Sequence, residues 1–279
     1  MGGYININGK IKMQDEALLP ADNRAFRYGY GLFETMLFRD GVIALKDLHW
    51  ERLFASMQQL HFSIPKLFTK AYLEQEVERT VQKNKLEHLS RVRLQVFAGS
   101  GGLYEDASPK PEFVIECFPL EKHILMLNET GLVTGIAQEL HKSNDALANL
   151  KSSNALIYAV AAQQAKANKW NDALIRNAQG NIVESTIANI FWTKDNTIYT
   201  PLLSEGCIAG VMRQYVIRKL RQQGFDVQES SLDAQILWQA DSIFLTNAIR
   251  RIKWVQEVDD QSFSNHFIGD IYHSVFHTT

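Results

Sequence analysis

The sequence predicts two α/β domains joined by a short linker, and three observations carry that prediction. The chain has 279 residues, more than one compact core ordinarily takes. Alternating apolar runs interleave with runs of helical period along its whole length. The stretch from Pro119 to about Asn128 follows a strand, opens with proline and carries mixed charge, and the character of the sequence changes after it. The expected boundaries are therefore a smaller N-terminal domain over 1–118, a linker over 119–128 and a larger C-terminal domain over 129–279.

Taken in order, Tyr4–Ile7 alternates, Asn8-Gly9 turns and Lys10–Met13 returns, which reads as a hairpin. A glycine-punctuated segment runs from Phe26 to Thr35, and a second hairpin crosses Arg39-Asp40-Gly41. Leu48, Leu53, Met57 and Leu60 fall at helical spacing, so a helix starts near Lys46 and ends before Pro65. Thr69–Lys83 is another helix. Arg91–Phe97 and Glu112–Phe118 are strands. In the second half, Asn154–Lys169 is a helix rich in Ala and Gln. Short strands follow at Ala173–Arg176, Ile182–Glu184, Asn189–Trp192 and Thr197–Tyr199. Gly210 precedes a helix to about Gln223, and Gly224 stands where glycine ends helices. Ser242–Thr246 is a buried strand, and a C-terminal helix starts near Ser262.

Composition excludes several function classes. Apolar residues make up 46% and charged residues 22%, which suits a soluble globular protein. The formal charge of −2 and the lack of a basic run leave no footprint for nucleic acid. No apolar run approaches the roughly 20 residues that span a bilayer, and the N-terminus lacks the plan of a signal peptide. Cys117 and Cys207 are far apart, so reduced thiols in the cytoplasm are expected. No phosphate-binding Gly-x4-Gly-Lys, dinucleotide-binding Gly-x-Gly-x-x-Gly, zinc-binding His-Glu-x-x-His or nucleophile elbow occurs. His273 and His277 read as a solvated helix face, and no metal is expected.

The informative residues lie elsewhere. Asn149-Leu150-Lys151-Ser152-Ser153-Asn154 precedes a long helix. Gly180-Asn181-Ile182-Val183-Glu184 leads to Asn189-Ile190-Phe191, then Thr200-Pro201 and Gly210-Val211-Met212-Arg213. The first half adds Asn23 to Thr35, with Tyr28-Gly29-Tyr30-Gly31-Leu32-Phe33-Glu34-Thr35 at its end, and His49-Trp50-Glu51-Arg52-Leu53. In this order the pieces resemble the class IV aminotransferases, the fold-type IV pyridoxal-phosphate enzymes, over nearly the whole chain. The resemblance implies a two-domain α/β fold with pyridoxal 5′-phosphate in the cleft between domains, and a homodimer.

It also implies roles, each with a physical reason. Lys151 is the amine that joins the cofactor aldehyde and later moves protons. Glu184 stands beside the pyridine nitrogen, where a carboxylate favours the protonated ring. Val211 and Met212 give backbone amides to the phosphate from a helix N-terminus, and Arg52 gives a planar fork of donors. Asn247 and Ala248, in the turn after a late strand, supply a third phosphate contact. Phe33, Arg93 and Arg27 are candidates on the substrate side, with Arg250 and Arg251 as further anion binders.

Within the family, Thr246-Asn247-Ala248, Gly31-Leu32-Phe33-Glu34-Thr35 and the loop Gly99-Ser100-Gly101-Gly102 resemble aminodeoxychorismate lyases. Ala98 and Leu103 stand where the arginines of that loop would be, and Ala98 also replaces the carboxylate-binding arginine of D-amino-acid aminotransferases. The leading expectation is elimination from an amino-acid substrate, giving 4-aminobenzoate and pyruvate from aminodeoxychorismate. The alternative is transamination of branched-chain or related amino acids. A relative without catalysis, acting as a binding protein, is a third reading, and intact Lys151, Glu184 and Arg52 argue against it.

Overall fold

The computed structural model describes residues 3–16, 19–102 and 109–276. Its contacts divide the chain into two units, Met1–Ile124 with Lys151–Asn154, and Leu125–Leu150 with Ala155–Thr279. The division between 124 and 125 falls inside the expected linker. Residues 151–154 group with the first unit, whereas the sequence places Lys151 in the C-terminal domain. The reason is main-chain pairing, set out below. Leu103 and His277 lie outside the described residues.

The first unit begins with the expected hairpin, β1 (Tyr4–Ile7) and β2 (Lys10–Met13), turned by Asn8 and Gly9, both at positive φ. A short helix, α1 (Arg24–Tyr28), is capped by the Asn23 side chain and ended by Gly29 in the left-handed region. There follow β3 (Gly31–Arg39), β4 (Val42–Ile43), α2 (Lys46–Gln59), α3 (Lys70–Asn84), β5 (Leu89–Ala98) and β6 (Pro111–Pro119). The strands form one antiparallel sheet in the order β2-β1-β6-β5-β3-β4. Helix α2 packs on β3, and α3 on β1, β5 and β6. In β5 the alternation is strict as far as Val96: Ser90, Val92, Leu94 and Val96 are buried, while Arg91, Arg93 and Gln95 are half-buried on the other face.

Beyond β4, which reaches only Phe38 and Arg39, that side of β3 has no strand partner among the described residues of the N-terminal half. Residues 151–153 supply one. Phe33 N donates to Lys151 O at 2.9 Å, Ser153 N to Gly31 O at 2.8 Å, and Leu32 bridges Ser152. Gly31 is required there, because a Cβ would sit 2.9 Å from Ser153 Oγ and from Val96 O.

The second unit carries β7 (Leu132–Lys142), α4 (Leu156–Ala167), β8 (Asp172–Asn177), β9 (Ile182–Ser185), β10 (Asn189–Lys194) and β11 (Thr197–Thr200). It continues with α5 (Val211–Gln222), β12 (Val227–Glu229), α6 (Ala234–Trp238), β13 (Ser242–Asn247), β14 (Arg251–Val258), β15 (Gln261–Ser262) and α7 (Ile268–Phe276). Strands run in the order β10-β13-β14-β7-β8-β9, and β9 pairs back to β10 through Asn189 and Glu184, so these six close a ring. Strands β11 and β12 extend from β10, and β15 edges β14. Ile136, Leu174, Ile190, Ile243 and Val255, one from each of five ring strands, share a buried cluster with Ile182 of the sixth. On β7 and β8 lies α4, its Ala161 and Ala165 packed against Ala137, Ala173 and Ile175.

Two strands of the ring, β7 and β14, have no counterpart among the elements expected from the sequence. The C-terminal helix starts at Ile268, because Gln261 and Ser262 pair with β14. Among the described residues, no helix is long and apolar enough to cross a membrane.

Candidate active site

In the first unit the side chains around Lys151 share one face of the sheet. Lys151 Nζ lies 4.3 Å from the centre of the Phe33 ring, and Arg93 Cζ 3.9 Å from it. Both cations meet the electron-rich face of one aromatic ring. Arg93 donates to Gln95 Oε1 at 3.3 Å, and Gln95 Nε2 to Ser153 Oγ at 3.2 Å, which ties the arginine to the segment carrying the lysine. Burial lowers the Arg93 pKa, against the pull of Glu116, its cross-strand neighbour on β6. Arg91 lies two residues along β5, its guanidinium 4.4 Å from the Phe118 ring. Phe33 and Arg93 therefore gather with Lys151. Arg27 does not: it is exposed and donates to Ala21 O.

Arg52 stands on the opposite face of β3. Glu34 follows Phe33 and points the other way, and Arg52 holds its carboxylate bidentately, Nε to Oε1 at 2.8 Å and Nη2 to Oε2 at 2.5 Å. His49 Nδ1, on the same helix, lies 2.6 Å from Glu34 Oε2. Burial pushes the Glu34 carboxyl up, but Arg52 and His49 together outweigh it and bring it down to about 2. Neither His49 nor Glu34 stood among the candidate site residues; a carboxylate one residue after Phe33, facing the helix of the His-x-x-Arg motif, was the signal available.

Gly99 and Gly101 in the loop 99–102 have local packing reasons. A Cβ at Gly99 would meet Glu112 Oε1 at 1.9 Å, and one at Gly101 would meet the Arg24 guanidinium at 2.9 Å. Arg24 Nε donates to Gly99 O, and Ser100 bridges Asn23.

In the second unit, Glu184 is the centre of a buried cluster. Its Oε1 accepts from Lys142 Nζ at 2.5 Å and from Tyr158 OH at 2.7 Å, and its Oε2 accepts from Ile208 N at 2.8 Å. Burial raises the Tyr158 pKa, with the Glu184 charge adding to it, so the phenol keeps its proton and donates. Lys142 ends β7, a strand that the sequence pattern does not reveal, and its partnership with Glu184 is equally invisible there. One position beyond Glu184, Ser185 and the turn to Ala188 are fixed by buried Asp172, whose carboxylate accepts from Ser185 Oγ, Thr186 Oγ1 and Thr186 N.

Helix α5 starts at Val211 with Gly210 as N-cap and no side-chain cap on its first amides. A Cβ at Gly210 would fall 1.9 Å from Asn189 Oδ1, so only glycine allows Asn189 so close to this helix end. Thr246 lies directly across from Asn189 in the β10–β13 pairing and therefore points to the same face. Its hydroxyl is buried and has no hydrogen-bond partner among the described residues. Uncapped amides beside an unpaired buried hydroxyl form a donor set that fits a phosphate group. Thr246 was not among the expected phosphate contacts. Its neighbour Asn247 shapes the turn instead, with Oδ1 accepting from Ile249 N and Arg250 N.

The profile of the family Amino-transferase class IV matches residues 31–258, and the chain belongs to that family of pyridoxal-phosphate-dependent enzymes. It is similar to an aminodeoxychorismate lyase of Vibrio harveyi, 28% identical over 83% of this chain and 84% of that protein. It is also similar to a branched-chain-amino-acid aminotransferase of Pseudomonas aeruginosa, 26% identical over 92% of this chain and 85% of that one. Its fold matches the crystal structure of the branched-chain aminotransferase from Thermoproteus uzoniensis with norvaline at a TM-score of 0.87. That match has 23% identity and covers 99% of this chain and 94% of that one.

Proposed function

We propose that this protein is a pyridoxal-phosphate-dependent lyase acting on an amino compound with more than one carboxylate, aminodeoxychorismate being the substrate that fits best. The observation that carries this reading is the polar, cationic face beside Lys151. Arg91, Arg93 and Gln95 follow one another along β5 there and offer cationic and polar partners to a substrate with more than one carboxylate, although Arg93 also matches a substrate-side arginine of branched-chain aminotransferases. The similarity to the Vibrio harveyi lyase supports it.

When bound, the pyridoxal ring supplies an electron sink for the electron pair released at the substrate carbon bearing the amino group. The protein's own residues do the rest. Lys151 would hold the cofactor through its aldehyde and would be the base that takes the proton from that carbon. Phe33 holds the Lys151 chain against the β3 edge. Arg93 binds a substrate carboxylate. Glu184 holds a proton at the ring nitrogen. The amides of Val211 and Met212, the Thr246 hydroxyl and the turn at Asn247 and Ala248 would take the phosphate. With that proton on Lys151, the neighbouring carbon–oxygen bond would break to release enolpyruvate and leave 4-aminobenzoate, and the proton would pass to the enolpyruvate methylene carbon to give pyruvate and restore Lys151. A homodimer in the cytoplasm belongs to the same proposal.

The second reading is transamination of branched-chain or related amino acids, favoured by the Pseudomonas aeruginosa relative and served by the same cofactor residues. The deciding experiment incubates the enzyme with aminodeoxychorismate and, separately, with leucine and 2-oxoglutarate. Release of 4-aminobenzoate and pyruvate is the expected outcome. Rapid glutamate formation without pyruvate would make this an aminotransferase.

A further inference from the structure

The buried cluster around Glu184 holds a cation that the proposed chemistry does not use. Lys142 is 8% exposed and Glu184 2%, and their charged atoms are 2.5 Å apart. The end of β7 is delivered to this point by an irregularity in its pairing. Ile136 pairs with Leu174, and the next pairing is His141 with Arg176, so the extra residues of β7 bulge, with Glu139 at positive φ. Lys142 follows, opposite Asn177, while Glu184 pairs with Ile175 on the other edge of the same strand β8. The lysine thus reaches across β8 to the carboxylate.

A carboxylate has about four sites for donors. Lys142 and Tyr158 fill those of Oε1, and Ile208 N takes one of Oε2, so one place on Oε2 remains for a further donor. A donor arriving there meets a carboxylate whose charge is already balanced by a buried ammonium. We infer that Lys142 and Tyr158 are positioning residues that turn Glu184 Oε2 toward the ring nitrogen and, by offsetting its charge, make that nitrogen lose its proton at a lower pH than Glu184 alone would allow. The inference rests on the proposed place of Glu184 beside the ring nitrogen. It makes Lys142 the residue that sets how strongly the electron sink pulls, a property separable from whether the cofactor binds.

The sign follows from charge. Removing Lys142 takes a cation away from a site that holds a second, protonated nitrogen, so the ring nitrogen keeps its proton to higher pH. A like charge this close moves a titration by about 1 to 2 pH units. Loss of the Tyr158 hydroxyl removes one neutral donor from the carboxylate, and the rise is smaller.

The test loads the protein with pyridoxal phosphate labelled with ¹⁵N in the ring and follows the ring nitrogen by NMR against pH. The midpoint is expected to rise by about 1 to 2 pH units in Lys142→Met. It should stay near the parent value in Lys142→Arg, which keeps the charge, and rise less in Tyr158→Phe. A purely structural role for Lys142 would change stability and leave the midpoint alone, so an unmoved midpoint in a loaded Lys142→Met protein overturns the inference. If Lys142→Met does not fold, Tyr158→Phe decides, and an unmoved or lowered midpoint there overturns it equally. Glu184→Gln separates the two levels. A midpoint that does not fall in Glu184→Gln would show that the ring nitrogen lies elsewhere, and the underlying placement of Glu184 would fail instead.

Discussion

Replacing Glu34 by glutamine tests the buried cluster that holds Arg52. In the folded protein Glu34 titrates at about 2, against an ordinary value of 4.5, because Arg52 and His49 overcome the cost of its burial. A titration displaced by one pH unit corresponds to about 1.4 kcal/mol, so the ionised carboxylate contributes about 3 kcal/mol to the folded state. The folded value is the depressed one, so this contribution is complete above pH 4.5 and is lost as pH falls from 4.5 toward 2. Glu34→Gln removes the titrating group and leaves Arg52 and His49 against a neutral amide. Breaking a buried pair in this way costs about 3 to 5 kcal/mol. The gap between the parent and Glu34→Gln should therefore be about 3 kcal/mol or more at pH 5, and should close by about 3 kcal/mol on approach to pH 2. Other carboxylates titrate in both proteins and cancel in the difference. Amide hydrogen exchange resolved to α2 and β3 reads the opening free energy of this region directly. A gap that stays constant between pH 5 and pH 2.5 would refute the electrostatic account of the cluster.

Three further outcomes are expected. Borohydride reduction of the loaded enzyme followed by peptide mapping should place the pyridoxyl group on Lys151, and a label on Lys142 would exchange the roles of the two lysines. Thr246→Val removes a buried hydroxyl that has no partner among the described residues, so the ligand-free protein should melt at the same temperature or slightly higher, by the equivalent of about 1 kcal/mol. Its affinity for pyridoxal phosphate should drop several-fold, and unchanged affinity would remove Thr246 from the phosphate site. Burial raises the Cys117 and Cys207 thiols to about 12, so neither should react with a disulfide reagent at pH 8 until the protein is unfolded. Cys117 is only half-buried and Cys207 buried, so fast labelling of the native protein would show that the thiols are not held protonated in this way.

What the sequence made legible follows from local rules. The strand β5 was readable because Arg91, Arg93 and Gln95 alternate with fully buried neighbours, and α5 because Gly210 and Gly224 bracket a helical period. The strand β7 was not. It is bordered on both sides by parallel neighbours, contains Gly135 with the Trp170 ring packed where a side chain would stand, and breaks its own alternation at the bulge. The same gap hid Lys142, whose partner lies 42 residues away. The cluster of Glu34, His49 and Arg52 depends on a strand and a helix meeting, which no local period reports. Thr246 was hidden differently: its neighbours gave the motif, but only strand register shows that it faces Asn189.

The pairing of residues 151–153 with β3 has a consequence for how this chain is made. All six strands of the first sheet have left the ribosome once Pro119 is clear, yet Gly31–Phe33 still lacks its neighbour. The missing partner begins at Lys151, 32 positions after Pro119, and is made only after β7 has been synthesised. A nascent chain therefore carries an open strand edge for the time it takes to add these residues, and at about 5 to 20 residues per second that is several seconds. Such an edge is a template for pairing with other chains. The same reasoning holds for dissection of the gene. A fragment ending at residue 124 contains every strand of the first sheet, but it lacks the segment that closes β3 and the lysine that segment carries.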